Sequence, residues 1–300
     1  MITENNLGIN LGFANNRFPE PEVWTDIVAN KLGLHKVQFV ADILNPMLML
    51  YDTEYYYEQI NKTVECIAKH NIKVTSMMTS SFTRVNHFAH PDKRYKDAWL
   101  VWFNDLLDMG KKFGAKSAGS HFGILTVQSL GNKDKLYKEA IHYWAELSTI
   151  AKDLNYDFLF FEPMSVDREF GNTIEKTEQM LNDLNEVSAI PFKVCLDVGH
   201  APHPTQRDYK VWMKRLAKDS PIIHLQQTTL NSSNHSPFTS TYNDNGIIDP
   251  YWIINLLNES GLSPELDFEI GFREKDEIEP TVINDLVESV NYWKQCISGN

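Results

Sequence analysis

The sequence predicts an α/β chain folded as a single-domain (β/α)8 TIM barrel spanning residues 1–300, and three observations carry that prediction. Short apolar runs of strand length alternate with longer stretches whose apolar residues recur at helical spacing. The alternation repeats at intervals of roughly 30 to 40 residues, eight times in all, with no linker or low-complexity segment between the units. Four of the apolar runs end abruptly in a side chain with oxygen or nitrogen donors: Phe158-Leu159-Phe160-Phe161-Glu162, Val194-Cys195-Leu196-Asp197, Ile222-Ile223-His224-Leu225-Gln226 and Leu266-Asp267-Phe268-Glu269. Near-continuous apolar runs suit strands buried on both faces, as parallel sheets require. Strand-then-helix alternation calls for such a sheet, and eight units call for a closed barrel.

Each element follows from local signals. Leu7 to Phe13 is the first strand, and the pattern Trp24, Ile27, Val28, Leu32 is a helix that stops near Gly33. Lys36 to Asp42 is the second strand, followed by a helix from Asp52 to His70 with Tyr56, Ile60, Val64 and Ile67 on one face. The third strand is Lys73 to Met78. A long helix from Pro91 to Phe113 buries Trp99, Phe103, Leu106 and Leu107, and Gly114 supplies the left-handed stop. The fourth strand, Lys116 to Gly123, carries Ser120 and His121 at its end. A helix with Tyr137, Ile141, Trp144 and Leu147 precedes the Glu162 strand. Asn172, with Glu175 three residues on, resembles a capping box opening the next helix. A helix from Asp208 to Ala217 leads to the His224 strand. Asp249-Pro250 is an N-cap followed by proline at the first helical position, and Gly261 stops that helix before the Glu269 strand. Ile283, Leu286, Val290 and Trp293 define the last helix.

Composition narrows the function class. A net charge of -12, with no basic stripe, argues against nucleic acid as a partner, because phosphate backbones are bound by clustered Lys and Arg. The three cysteines, Cys66, Cys195 and Cys296, are too few and too scattered for a disulfide framework. No apolar stretch reaches membrane-spanning length, and Met1 to Asn6 lacks the features of a signal peptide. The protein is expected in the cytoplasm, with a small molecule as its partner.

In a barrel of this kind, the carboxyl ends of the strands form the active-site cup. Glu162, Asp197, Glu269 and either His224 or Gln226 therefore converge there, from the fifth to the eighth strands. Such an oxygen-rich set suits Mg, Mn or Co better than a structural zinc, which prefers Cys and His. His224 and Gln226, two residues apart, point the same way.

These residues carry a family resemblance. Phe160-Phe161-Glu162-Pro163, Asp197-Val198-Gly199-His200, His224-Leu225-Gln226 and Glu269 resemble the sugar isomerase/epimerase family, which has a xylose isomerase-like barrel and includes ketose 3-epimerases and sugar-phosphate epimerases. The resemblance covers nearly the whole chain. It implies that Glu162 and Glu269 are both metal ligands and the two catalytic carboxylates, that Asp197 is a ligand, and that His200 contacts substrate. Many members carry His-x-His on strand seven, the second His binding metal. Gln226 occupies that position here, and its amide oxygen inherits the role, with His224 the alternative ligand. A divalent ion would stabilise a cis-enediolate while one glutamate removes the C3 proton and the other returns a proton on the opposite face. Return of the proton to C2 would make the enzyme an aldose-ketose isomerase instead.

Further candidates for substrate contact are His121, Arg168 as a phosphate clamp, and the polar run Asn231 to Thr239 with His235, which lies where such barrels place phosphate sites. Gln226-Gln227-Thr228 and this run resemble the branch acting on short ketose phosphates such as erythrulose phosphate. Gln227 is accordingly a substrate-contact candidate. The family resemblance also favours a homo-oligomer. Competing classes are an abasic-site endonuclease, which the acidic balance disfavours, a polyol dehydratase with similar ligands, and a non-catalytic sugar-binding module.

Overall fold

A computed structural model describes residues 1–200, 206, 208–275 and 278–299. Eight strands alternate with helices: β1 Leu7–Asn10, β2 Lys36–Val40, β3 Lys73–Met78, β4 Ser117–His121, β5 Phe158–Glu162, β6 Phe192–Asp197, β7 Ile222–Leu225 and β8 Glu265–Phe268. Each strand is parallel to the next and β8 pairs with β1, so the sheet closes into the predicted barrel. Register follows strand ends: His121 lies beside Glu162, and Asp197 beside His224. The helices are α1 Pro21–Asp26, α2 Thr53–Lys69, α3 Lys93–Phe113, α4 Lys133–Asp153, α5 Ile174–Val187, α6 Tyr209–Leu216, α7 Ser240–Asn243, α8 Pro250–Glu259 and α9 Glu279–Ser298. No helix among the described residues is long and apolar enough to cross a membrane.

Capping explains most boundaries. The carboxylates of Asp52, Asp92, Asp208 and Asp249 each accept a backbone N–H from the first turn of the helix they open. Gly114 and Gly261 take positive φ where α3 and α8 end. Several details differ from the sequence prediction, among them β4, which ends at His121 rather than Gly123, and the first helix, whose α-helical part ends at Asp26. β1 stops at Asn10, because the Asn10 side chain accepts Gly12 N–H and turns the chain into a 3-10 segment, Leu11–Ala14. β2 stops at Val40. The cap of α5 is Thr173, which accepts Lys176 N–H, while Asn172 instead accepts from Lys176 Nζ. On α2, Thr63 takes the buried position and Val64 is exposed.

The main core lies between the sheet and its ring of helices, and a second, small apolar cluster of Met78, Phe160, Cys195 and Ile222 fills part of the barrel interior. Gly119 makes room for it: a Cβ there would sit 2.2 Å from the Phe160 carbonyl oxygen. The rest of the interior is polar, with Gln38, Ser76, His224 and Asp267 all fully buried. Neither carboxylate oxygen of Asp267 has a hydrogen-bond partner. Gly8 on the adjacent strand permits this approach, since a Cβ at Gly8 would lie 2.2 Å from Asp267 Oδ1.

Burial, and then the nearby Glu265 carboxylate, push the Asp267 carboxyl up to about 7 from its ordinary 3.8. The folded chain therefore binds a proton here that the unfolded chain has already released, and the stability this contributes is lost as pH rises through the folded value. We expect Asp267→Asn to flatten the fall in stability between about pH 5 and about pH 8 and to stabilise the protein at the upper end. Urea unfolding of both proteins across that range checks this; an unchanged slope would exclude Asp267 as its source.

Candidate active site

The carboxyl ends of the strands open on a cavity of about 510 Å³. Glu162, Glu269, His121 and His235 line it directly, and Asp197, His200, His224 and Gln226 are buried around its floor. Single ligand atoms of Glu162, Asp197, His224 and Glu269 all lie within 4.8 Å of one another, and so do those of Asp197, His200 and His235. Glu162 closes β5, before Pro163 ends the strand, and Asp197 closes β6. Gln226 and Glu269 stand one residue past their strands, and Glu269 N–H still bonds the Leu225 carbonyl across the rim (3.0 Å).

His224 sits between the two glutamates. Its Nδ1 is 3.2 Å from Glu162 Oε1 and 3.0 Å from Glu269 Oε2, and its Nε2–H donates to Gln38 Oε1 at 2.8 Å. Burial opposes a charge on this imidazole, but its contacts with Cys195, Glu269 and Glu162 win and hold its pKa well above the usual range. Burial likewise opposes ionisation of Glu269, and His224 overcomes it, keeping that carboxyl well below the ordinary range. Asp197 is pushed up by burial and by the neighbouring glutamates, while burial lowers His200 to about 4, leaving it neutral.

Asp197 Oδ1 accepts the backbone N–H groups of Gly199 (2.6 Å) and His200 (3.2 Å), so the Asp-x-Gly-His turn folds around its own carboxylate. His200 then lies 3.4 Å from Glu162 through Nδ1, and its Nε2 is 3.4 Å from His235 Nε2. Gln226 Nε2 reaches both Asp197 oxygens at 3.0 and 2.8 Å, and its Oε1 accepts His235 N–H at 2.6 Å. His235 holds a positive φ of 51° and enters the cavity from the loop after β7.

The donors fit a hard divalent cation. Three carboxylates converge on one buried floor, and Glu269 Oε2 and His200 Nδ1 are buried there without a well-aligned hydrogen-bond partner.

Two substrate-contact candidates are corrected. The Gln227 amide is consumed by its own loop: Nε2 donates to Asn243 Oδ1 and the Ile248 carbonyl, and Oε1 accepts from Thr228 and Ile248 N–H. Nothing in it remains for a ligand. Arg168 donates its guanidinium to the Leu125 carbonyl and does not line the cavity. His121 does line the cavity, but its Nε2–H donates to the Val85 carbonyl at 2.7 Å and its Nδ1 faces Ser120 Oγ at 3.2 Å. The cavity also contains Arg84 and Arg273, which sequence reasoning missed because neither lies in an apolar-to-polar strand ending.

Comparison with known proteins agrees with this fold. A family model described as a xylose isomerase-like TIM barrel matches residues 28–294. D-erythrulose 1-phosphate 3-epimerase of Brucella abortus (strain 2308) is 31% identical over 296 residues, covering 96% of this chain and 94% of that protein. Two solved structures share the fold. A candidate xylose isomerase from Rhodospirillum rubrum superposes with a TM-score of 0.87 at 22% identity, over 96% of this chain and 98% of that one. D-psicose 3-epimerase of Clostridium cellulolyticum H10, solved with D-tagatose, gives 0.76 at 15% identity, over 97% and 99%.

Gly199 is the packing key to this floor, because a Cβ there would lie 2.1 Å from Gln226 Cδ. Gly199→Ala must push the Gln226 amide off Asp197. We expect affinity for Mn2+ to fall roughly 10- to 100-fold, as when a group that orients a metal ligand is displaced. Calorimetric titration of the metal-free protein measures it, and unchanged affinity would show that Gln226 does not organise Asp197.

Proposed function

We propose that this chain, which belongs to the xylose isomerase-like TIM barrel family, is an isomerase that inverts C3 of a short ketose phosphate of the erythrulose phosphate kind. The observation that carries the proposal is the pairing of Glu162 and Glu269 across the single imidazole of His224. Inversion through an enediolate needs one carboxylate ready to take a proton while the other holds one. An imidazole shared by both lets their protonation states differ and exchange. The relative of matching length named as a D-erythrulose 1-phosphate 3-epimerase supports the substrate class.

In this reading Glu162, Asp197 and Glu269 would hold a divalent ion such as Mn, Mg or Co, and Gln226, whose amide is engaged by Asp197 and the His235 N–H, would orient Asp197 rather than bind the ion itself. When bound, it supplies Lewis-acid stabilisation to the enediolate. Glu269, kept ionised by His224, takes the C3 proton in one direction, and Glu162 delivers a proton to C3; the roles reverse in the other direction. His224, whose Nδ1 faces both glutamates, serves as their charge partner. His200, neutral and close to Glu162, donates to a substrate hydroxyl. His235 and His121 close the sides of the cup and limit water at the reacting carbon.

Incubating the Mn2+-loaded protein with D-erythrulose 1-phosphate in D2O should place deuterium at C3 with an inverted product, followed by NMR. Glu162→Gln and Glu269→Gln should each lower kcat by roughly 100-fold or more, the scale of a lost general acid or base. Deuterium at C1 or C2 with an aldose appearing would make the protein an isomerase between aldose and ketose. Retained turnover in Glu269→Gln would exclude the two-base mechanism.

A further inference from the structure

The loop joining β3 to α3 is built in a way the proton-transfer chemistry does not account for. Two fully buried histidines hold it. His87 Nε2–H donates to the Thr83 carbonyl at 2.8 Å, and His121 Nε2–H donates to the Val85 carbonyl at 2.7 Å. The residue between those two clamped carbonyls is Arg84. The two imidazoles pack against each other with centroids 4.6 Å apart, so they form one support. His87 itself adopts a positive φ of 45°, a backbone cost that its bond to Thr83 helps offset. On the outer side, Asp42 accepts Phe82 N–H at 2.8 Å and the Thr83 hydroxyl, and Ser80 N–H donates to that same hydroxyl at 2.9 Å.

This support presents one cation to the cavity. Arg84 lines it, and its side chain remains 31% exposed, while the Glu169 carboxylate, itself buried, stands behind it with Oε1 3.5 Å from Nη2. A guanidinium has five N–H donors in a planar fork, and a contact this long with one carboxylate oxygen leaves donors for an anion in the cavity. Among the described lining residues, the only other Lys or Arg is Arg273. Ser80 and Ser81 line the same wall as Arg84 and add hydroxyl donors.

Electrostatics favours such a group. The chain carries a net charge of -12, and three carboxylates crowd the floor of the cup. A dianionic phosphate entering that field is held better where a fixed cation meets it. Arginine suits the task better than lysine because its fork matches two phosphate oxygens.

We propose that Arg84, held by His87 and His121 and backed by Glu169, is the residue that binds the substrate's phosphate. This assignment rests on the ketose phosphate reading above. It places the phosphate against the β3 side of the cup, so the sugar spans from Arg84 to the glutamates at the floor. His87 and His121 are then positioning residues: both nitrogens that matter to the loop point at backbone carbonyls.

The test compares the metal-loaded wild type, Arg84→Gln, Arg84→Lys and Arg168→Gln, using D-erythrulose 1-phosphate and unphosphorylated erythrulose as substrates and inorganic phosphate as inhibitor. We expect Arg84→Gln to lower kcat/KM for the phosphorylated ketose roughly 10- to 100-fold, the scale of a charge-assisted hydrogen bond, mainly through KM. Turnover of erythrulose should change little, and inhibition by inorganic phosphate should weaken by a similar factor. Arg84→Lys should recover part of the loss, and Arg168→Gln should keep the wild-type preference. Equal losses on both substrates, or none on either, would overturn the role of Arg84 while leaving the phosphorylated substrate intact. If the wild type shows no preference for the phosphorylated ketose and no inhibition by phosphate, the substrate reading itself fails, and this assignment fails with it.

Discussion

The arrangement of the cup depends on one constraint: Glu162, Asp197 and Glu269 must share a buried floor. Two like charges about 4 Å apart repel by about 4 kcal/mol at the effective dielectric near a protein surface, and burial adds its own cost to each. The protein meets this with a chain of hydrogen bonds that starts on the far side of the barrel. Asn10 at the end of β1 donates to Gln38 Oε1 on β2 at 2.6 Å, and that oxygen also accepts His224 Nε2–H from β7. So fixed, His224 turns its other nitrogen to both glutamates. Residues from five strands thus act as one electrostatic unit.

Closure of the barrel makes such a unit possible. In an open sheet β1 and β8 would be edges, and Asn10 and Gln38 would lie far from Glu269. Pairing of β8 with β1 brings them to one interior. The interior is accordingly split, with Met78, Phe160, Cys195 and Ile222 packed together and Gln38, Ser76, His224 and Asp267 making a polar column. Gly8 and Gly119 are the positions where strand backbone gives space to neighbouring groups, Asp267 in one case and Phe160 in the other.

The barrel and its acidic floor were legible in the sequence because both follow from periodicity. Apolar runs ending in Glu162, Asp197 and Glu269 place those carboxylates at strand ends whatever the loops do, and proline or aspartate at helix starts fixes the spacing. What periodicity does not carry is direction within loops. Gln227 adjoins Gln226 and has the same chemistry, yet strand alternation turns it away from the cup, and Gly246 lets its amide bury against the following loop, where a Cβ would lie 2.2 Å from it. His87 reads as an ordinary loop histidine until its bond to the Thr83 carbonyl is seen. Arg84 gives no signal at all in a stretch with neither helical nor strand pattern, because its role comes from two histidines that approach from α3's entry loop and from β4.

Gln226 shows how one substitution at a strand end reshapes what surrounds it. A neutral histidine has a single N–H to offer, whereas an amide presents two N–H donors and an acceptor in one plane. Gln226 uses that difference: its nitrogen spans both Asp197 oxygens, and its oxygen takes the backbone N–H of His235. The acceptor is identified by its partner, since a backbone N–H can only donate. That bond helps hold His235 in its left-handed conformation, together with the Gly271 N–H that donates to the His235 carbonyl at 2.8 Å. The imidazole so placed reaches within 3.4 Å of His200 and 3.7 Å of Glu269. An amide at the end of β7 therefore spans both Asp197 oxygens with its two N–H groups, which a neutral histidine with a single N–H could not do, and it has an acceptor left for His235. It steadies the one carboxylate of the floor that His224 does not touch, and it fixes a second imidazole at the mouth of the cup.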